Sequence, residues 1–231
     1  MIANLPFDRA AQNYDAIVQR AIGASGETVQ FFAELKVRLT AETVGDAQPE
    51  TILDFGCGIG NTTRAIATRF PNSDVVGFDV STDSLALARQ LASSPLGRVT
   101  YVSSSDNRLP LPDASVALVF ASCVFHHIEP DERERWAREL KRVLKPGAPV
   151  FLFEHNPYNP LTRRVVRRVP FDESVILLKP RDATSLMRSA GFTTSPARFY
   201  FFFPSFIRAL RALEPALRRI PLGAQYFVVG R

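Results

Sequence analysis

Leu53-Asp54-Phe55-Gly56-Cys57-Gly58-Ile59-Gly60 sets three glycines at alternate positions directly behind a short apolar run, and a helix-forming stretch follows from residue 62. A strand that turns sharply into a helix needs glycine where the backbone bends tightly or where a ligand must come closer than a Cβ allows. A glycine trio alone is a weak sign, and its weight comes from the strand before it and the helix after it. The next apolar run, Val75-Val76-Gly77-Phe78, ends in Asp79, 19 residues beyond Gly60. A carboxylate at that place can accept hydrogen bonds from both hydroxyls of a ribose. The competing role is the N-cap of a helix beginning near Ser84, which Ser81 or Asp83 could fill instead.

Outward from this turn, short apolar runs alternate with helical ones. Strands are expected over 51–55, 74–78, 99–102, 115–121 and 149–154, with helices over 62–69, 84–92 and 131–144 between them. Strand then helix, with brief Gly and Pro punctuation, predicts a doubly wound, mostly parallel sheet. The helix over 131–144 turns Trp136, Leu140, Val143 and Leu144 to one side and stops at Lys145-Pro146-Gly147. Upstream, Val29, Phe32, Leu35 and Leu39 mark an amphipathic helix over 27–44, preceded by a short piece over 7–22. Downstream, helices are expected over 161–169, 182–190 and 205–219, and a final antiparallel pair of strands over 195–203 and 225–229. The chain divides as a helical lid (1–46), a core (47–154) and a cap with the last strands (155–231), within one domain.

Asp54 to Gly60, Asp79, Leu109-Pro110-Leu111-Pro112, Phe125-His126-His127-Ile128 and Leu144-Lys145-Pro146-Gly147, in that order and spacing, resemble the class I S-adenosylmethionine-dependent methyltransferases. The resemblance covers about residues 51–154, with a weaker likeness between Phe7 and Asp15 to the lid of members that act on small molecules. It separates the chain from nicotinamide enzymes, whose glycine fingerprint lacks an acidic residue two places before the first glycine. The resemblance implies a seven-stranded Rossmann-like sheet with an antiparallel last strand, and S-adenosylmethionine as cofactor. It further implies that Asp54 lies under the methionine ammonium, that Gly56, Cys57, Gly58 and Gly60 make room for the amino-acid portion, and that Asp79 holds the ribose. The resemblance also implies that Val80 packs beside the adenine and that Tyr14 and Ser122 belong to the cofactor pocket. The family's acidic residue four places before the Leu-Pro pair is Ser105 here, with Asp106 one residue later, so either side chain can hold the adenine amino group. The aspartate common at the start of the fourth strand is replaced by Ala117.

Methyl transfer from a sulfonium is an in-line displacement, so positioning supplies much of the catalysis, and a base is needed only when the acceptor must lose a proton. His126 and His127 follow the fourth strand at the carboxyl edge, where doubly wound sheets bind ligands. Glu154, His155 and Asn156 end the fifth strand at the same edge. All three histidines of the chain therefore fall at two adjacent strand ends, as candidate catalytic residues. A metal held by His126, His127, Glu154 and His155 is not expected, because neighbouring strand residues point to opposite faces. Asn156-Pro157-Tyr158-Asn159-Pro160 lacks the second proline of the base-holding loop of nucleic-acid amino methyltransferases, and it follows the fifth strand instead of the fourth. It reads as a stiff loop lining the substrate, with Asn156 and Tyr158 facing it. Arg163, Arg164, Arg167 and Arg168 come next at helical spacing, either as a wet helix face or as a grip on a carboxylate or phosphate of the acceptor.

The 231 residues carry 46% apolar side chains and a net charge of +5, which excludes collagen-like and fully disordered chains. Residues 155–231 hold net +9 and residues 1–154 net −4, so the basic character belongs to the C-terminal third. Such polarity suits an anionic partner or a solvated arginine face. The longest nearly apolar run, over 114–125, is about half of the roughly 20 residues a spanning helix needs, so no integral membrane association is expected. Without a basic, apolar leader and with two cysteines, Cys57 and Cys123, the expectation is a cytoplasmic protein with reduced thiols. Phe206, Leu210, Leu213 and Leu217 form an apolar stripe read as core packing or a dimer contact, with a membrane surface or lipid-like substrate as the other reading. The oligomeric state is left open between monomer and homodimer. The reading is methyl transfer to oxygen, nitrogen or carbon of a small-molecule acceptor. A nucleic-acid methyltransferase is disfavoured by the absent base-holding loop, and a non-catalytic sensor or scaffold by the intact glycines and Asp79.

Overall fold

The computed structural model describes residues 11–92, 98–104, 108–172 and 175–231. Seven strands form one sheet: β1 (Thr51–Phe55), β2 (Asp74–Phe78), β3 (Val99–Val102), β4 (Leu118–Ser122), β5 (Val150–His155), β6 (Arg198–Tyr200) and β7 (Gln225–Gly230). Their order is β3-β2-β1-β4-β5-β7-β6, with β7 antiparallel to both neighbours and every other pairing parallel. This is the doubly wound sheet that the alternation predicts. The chain order reverses between β1 and β4, which opens a crevice at the carboxyl ends of those strands.

The helices are α1 (Tyr14–Ile22), α2 (Val29–Val44), α3 (Asn61–Arg69), α4 (Thr82–Leu91), α5 (Arg133–Val143), α6 (Pro160–Val166), α7 (Pro180–Ser189) and the short α8 (Glu214–Leu217). Period-two alternation sorts the strand residues between two layers. Leu53, Phe55, Val119, Ala121 and Leu152 pack with Trp136 and Leu140 of α5 and Ala183 and Met187 of α7. Ile52, Leu118, Phe120, Phe151 and Phe153 pack on the other face with Leu35 and Leu39 of α2 and Ile66 of α3. A fully buried Leu or Phe contributes roughly 1.5–3 kcal/mol, so these layers fix the sheet and carry the strand ends as rigid mounts.

Four elements differ from expectation, one of them the strand expected over 195–203, which is only the three residues of β6. The fourth strand starts later than predicted, at Leu118, because Val116 bridges instead to Leu144 after α5. The helix expected over 161–169 stops at Val166. The helix expected over 205–219 is a 3-10 helix, Ser205–Leu213, followed by α8. Ile207 leaves helical geometry (φ −123°), and Pro215 lies in the first turn of α8 and offers no N–H, so no continuous helix forms. Of the apolar stripe read as core packing or a dimer contact, Phe206, Leu210 and Leu213 are exposed, Phe206 retaining 78% of its surface, so the stripe does not pack into the core of the chain.

Candidate active site

β1 delivers Asp54 to the crevice on the α3 side, where it is sealed from water and Thr63 Oγ1 donates to its Oδ2 at 2.6 Å. Burial raises the Asp54 carboxyl to about 7, partly countered by the Thr63 hydrogen bond. A buried carboxylate with one neutral donor is a receptor for a cation. Gly56 has φ +73°, and a Cβ on it would clash with the Val124 side chain, so a side chain is forbidden twice over. Gly58, at φ +52°, has open space where its Cβ would be, and its N–H donates to Asp79 Oδ2 at 2.7 Å. The Ser81 N–H donates to Asp79 Oδ1 at 2.9 Å, so both carboxylate oxygens are oriented from the protein side. The N-cap of α4 is Ser81, whose Oγ accepts from the Ser84 N–H, and the competing role for Asp79 falls away. Cys57 is buried beneath the turn, its thiol pushed well up by burial, and Val80 packs half-buried against the core. An ammonium for Asp54, hydroxyls for Asp79 and room at Gly58 fit the methionine and ribose parts of S-adenosylmethionine. Ser105 and Asp106 lie outside the described residues.

At the far side of the crevice, β4 ends in Ser122 and the 3-10 turn Phe125–His127 follows. Alternation along β5 sends Glu154 and His155 to opposite faces, and each collects its own partners. Glu154, fully buried, accepts the Phe125 N–H at 3.0 Å through Oε1, and its Oε2 lies 2.5 Å from His126 Nδ1. Burial alone would raise this carboxyl, but the His126 hydrogen bond and the neighbouring imidazoles hold it below its ordinary value. Burial lowers His126. The short contact ties His126 Nδ1 to Glu154 and fixes the orientation of the ring. His127 Nε2 lies 3.1 Å from Asp172 Oδ1, and Asp172 is 7% exposed. Tyr14 of α1 stacks on Phe171 at 5.2 Å, and burial together with Asp172 pushes its hydroxyl up, so it stays a proton donor.

On the other face Lys36 of α2 is buried, donating to Ser122 Oγ at 2.7 Å and to Cys123 Sγ at 3.4 Å. Burial opposes charge on both Cys123 and His155, yet they favour each other: the Cys123 thiol falls and His155 rises to about 9. His155 Nδ1 lies 3.2 Å from Gln225 Nε2. The two clusters abut, with the His126 and His155 rings 5.4 Å apart. His155 and Cys123 thus form a mutually stabilised pair beside Lys36, while the His127 ring stands on the other side against Asp172. Asn156, expected to face substrate, does not. Its Nδ2 donates to the carbonyls of Pro221 (3.1 Å) and Gly223 (2.7 Å) and its Oδ1 accepts the Tyr158 N–H (3.0 Å), so the amide is spent on clamping the loop over 221–224. Tyr158 remains 48% exposed. Arg163, Arg164, Arg167 and Arg168 are all exposed and, with Pro160, line an open depression of about 540 Å³ on α6. Val165 and Val169 pack against α1 on the opposite side of the same segment, so the arginines point outward.

Sequence reasoning missed Asp172 and Lys36. Asp172 sits in an irregular stretch that matches no motif, and only the tertiary fold brings it to His127. Lys36 did leave a signal: it stands between Phe32 and Leu39 at helical spacing, on the stripe that the helix buries.

The methyltransferase-domain family profile matches residues 52–147. The chain is 35% identical to a trans-aconitate 2-methyltransferase of an Azoarcus species over 52% of its own length and 45% of that protein's. It is 31% identical to a ubiquinone/menaquinone biosynthesis C-methyltransferase of Syntrophotalea carbinolica, over 70% of this chain and 65% of that one. The chain thus spans about half to two thirds of the length of these relatives. An S-adenosylmethionine-dependent methyltransferase of Archaeoglobus fulgidus shares the fold with a TM-score of 0.64 at 17% identity, over 85% of this chain and 92% of that one.

Proposed function

We propose that this chain is a class I S-adenosylmethionine-dependent methyltransferase that methylates a small molecule seated between the glycine turn and the ends of β4 and β5. The observation that carries the reading is the pairing of two differently prepared carboxylates at one switch point: Asp54, buried with a raised carboxyl, and Asp79, oriented by the N–H groups of Gly58 and Ser81. Bound S-adenosylmethionine supplies a methyl group on a positively charged sulfur. Everything else is done by the protein. Asp54 holds the ammonium, Asp79 the ribose hydroxyls, and Tyr14 of the lid helix donates from above. His127, backed by Asp172, faces the acceptor and takes its proton where the acceptor is a hydroxyl or amine. His126 is too enclosed to meet substrate and acts by positioning, since Glu154 fixes its ring and its neighbour is His127.

The acceptor carries an anionic group in this reading, supported by the outward arginine row of α6 beside the loop that carries Tyr158. Two measurements test the proposal. Asp79→Ala should weaken S-adenosylmethionine binding in calorimetry by about 1–3 kcal/mol, the range for losing hydrogen bonds to a charged group. A mass-shift screen of metabolite extracts should show cofactor-dependent gain of one methylene. Unchanged affinity removes Asp79 from the pocket, and a screen with no methylated product, cofactor binding intact, leaves the chain a sensor or scaffold.

A further inference from the structure

We infer that His126, His127 and Asp172 form a binding site for a divalent transition-metal ion, a role beyond the proposed methyl transfer; because an ion on His127 Nε2 occupies the imidazole proposed above as base, the two roles belong to the metal-loaded and the metal-free protein. One donor atom from each residue lies within 4.8 Å of the other two. His127 Nε2 and His126 Nε2 stand 3.1 Å and 4.0 Å from Asp172 Oδ1. Around an ion bound at about 2.0–2.1 Å, neighbouring ligand atoms sit roughly 3 Å apart, so the His127–Asp172 separation is already in range and His126 needs a small ring shift toward the other two.

The decisive atom is His126 Nε2. The side chain is 1% exposed, and this nitrogen has no hydrogen-bond partner. Buried polar atoms are almost always satisfied, so an orphan nitrogen aimed at a buried carboxylate and a second imidazole marks a missing partner. The other nitrogen of the ring says what kind. His126 Nδ1 is tied to Glu154 Oε2 at 2.5 Å, and Glu154 is itself held by the Phe125 N–H. A carboxylate behind a histidine fixes the tautomer with its lone pair on Nε2 and strengthens that nitrogen as a ligand. His155 is no ligand, since β5 directs it to the opposite face beside Gln225. Two imidazoles and one carboxylate suit zinc, iron, cobalt or nickel better than magnesium or calcium, which prefer all-oxygen shells. Three protein ligands also leave a position open for water or an acceptor oxygen.

The test uses tag-free full-length protein stripped with a chelator and dialysed. Titrated with Co²⁺, it should develop visible d–d absorption saturating at one ion per chain, displaced by Zn²⁺, and Zn²⁺ should raise Tm. His127→Ala and Asp172→Ala should weaken Co²⁺ binding by about 100-fold while S-adenosylmethionine affinity, measured in parallel, reports an intact fold. If the stripped wild-type protein binds cofactor yet shows no saturable uptake of Co²⁺ or Zn²⁺, the proposal is overturned. Stoichiometric uptake that survives both substitutions overturns it as well, by placing the ion elsewhere.

Discussion

In the proposed pocket Asp54 should give cofactor binding a pH dependence whose sign follows from burial. Its carboxyl, raised to about 7, is protonated in much of the free protein at neutral pH, whereas an ammonium held against it favours the charged form. Binding therefore expels a proton below about pH 7, and affinity should fall by up to tenfold per pH unit on the acid side while staying flat above pH 8. Stability of the free protein moves the other way. A raised carboxyl contributes stability that is fully present below its unfolded value of 3.8 and is lost as pH climbs through about 7. Calorimetry at pH 6 and pH 8 in buffers of different ionisation heat checks both the slope and the released proton. Asp54→Asn should lower affinity at pH 8 and abolish the slope. An unchanged slope would mean that Asp54 does not face the ammonium.

At the scale of elements, β4 and β5 act as a sorter. Consecutive side chains leave a strand on opposite faces, so Glu154 joins His126 on the α5 side and His155 joins Cys123 and Lys36 on the α2 side. The short helix α6 divides in a similar way, with Val166 buried and its arginines in water. An outward row can still anchor a charged extension of the acceptor beyond the crevice. Charge reversal at Arg164 and Arg167 should then raise KM for the acceptor about tenfold and leave kcat near its original value, with added salt reproducing the effect in the unaltered protein. Kinetics indifferent to salt and to both substitutions would return the row to solubility alone.

Across the whole molecule, Lys36 joins the N-terminal layer to the end of β4, and the consequence is measurable at a thiol. Despite burial, His155 and Lys36 hold the Cys123 thiol below its ordinary value, while burial pushes Cys57 well up. Iodoacetamide at pH 7 should therefore label Cys123 and spare Cys57, with Lys36→Met slowing Cys123 roughly threefold to tenfold. Equal labelling by mass spectrometry would contradict the assignment. The sequence by itself determined the sheet and the glycine turn behind its first strand. Strand alternation, the glycine turn, Asp54 and Asp79 are local patterns, because a turn with positive φ and a strand-end carboxylate are specified within a few residues. The fate of the 205–219 stretch was not legible, since its apolar spacing is helical and only Pro215 and the lack of an opposing surface left it exposed. Asn156 also read as a substrate contact, because an amide's partners are invisible until the loop over 221–224 folds against it. The tertiary structure alone brought Asp172 to His127 and Lys36 to Ser122, across 45 and 86 residues. No periodicity encodes such meetings. They arise where separate segments pack on one core, and buried charge tolerates only an arrangement in which each group finds a partner.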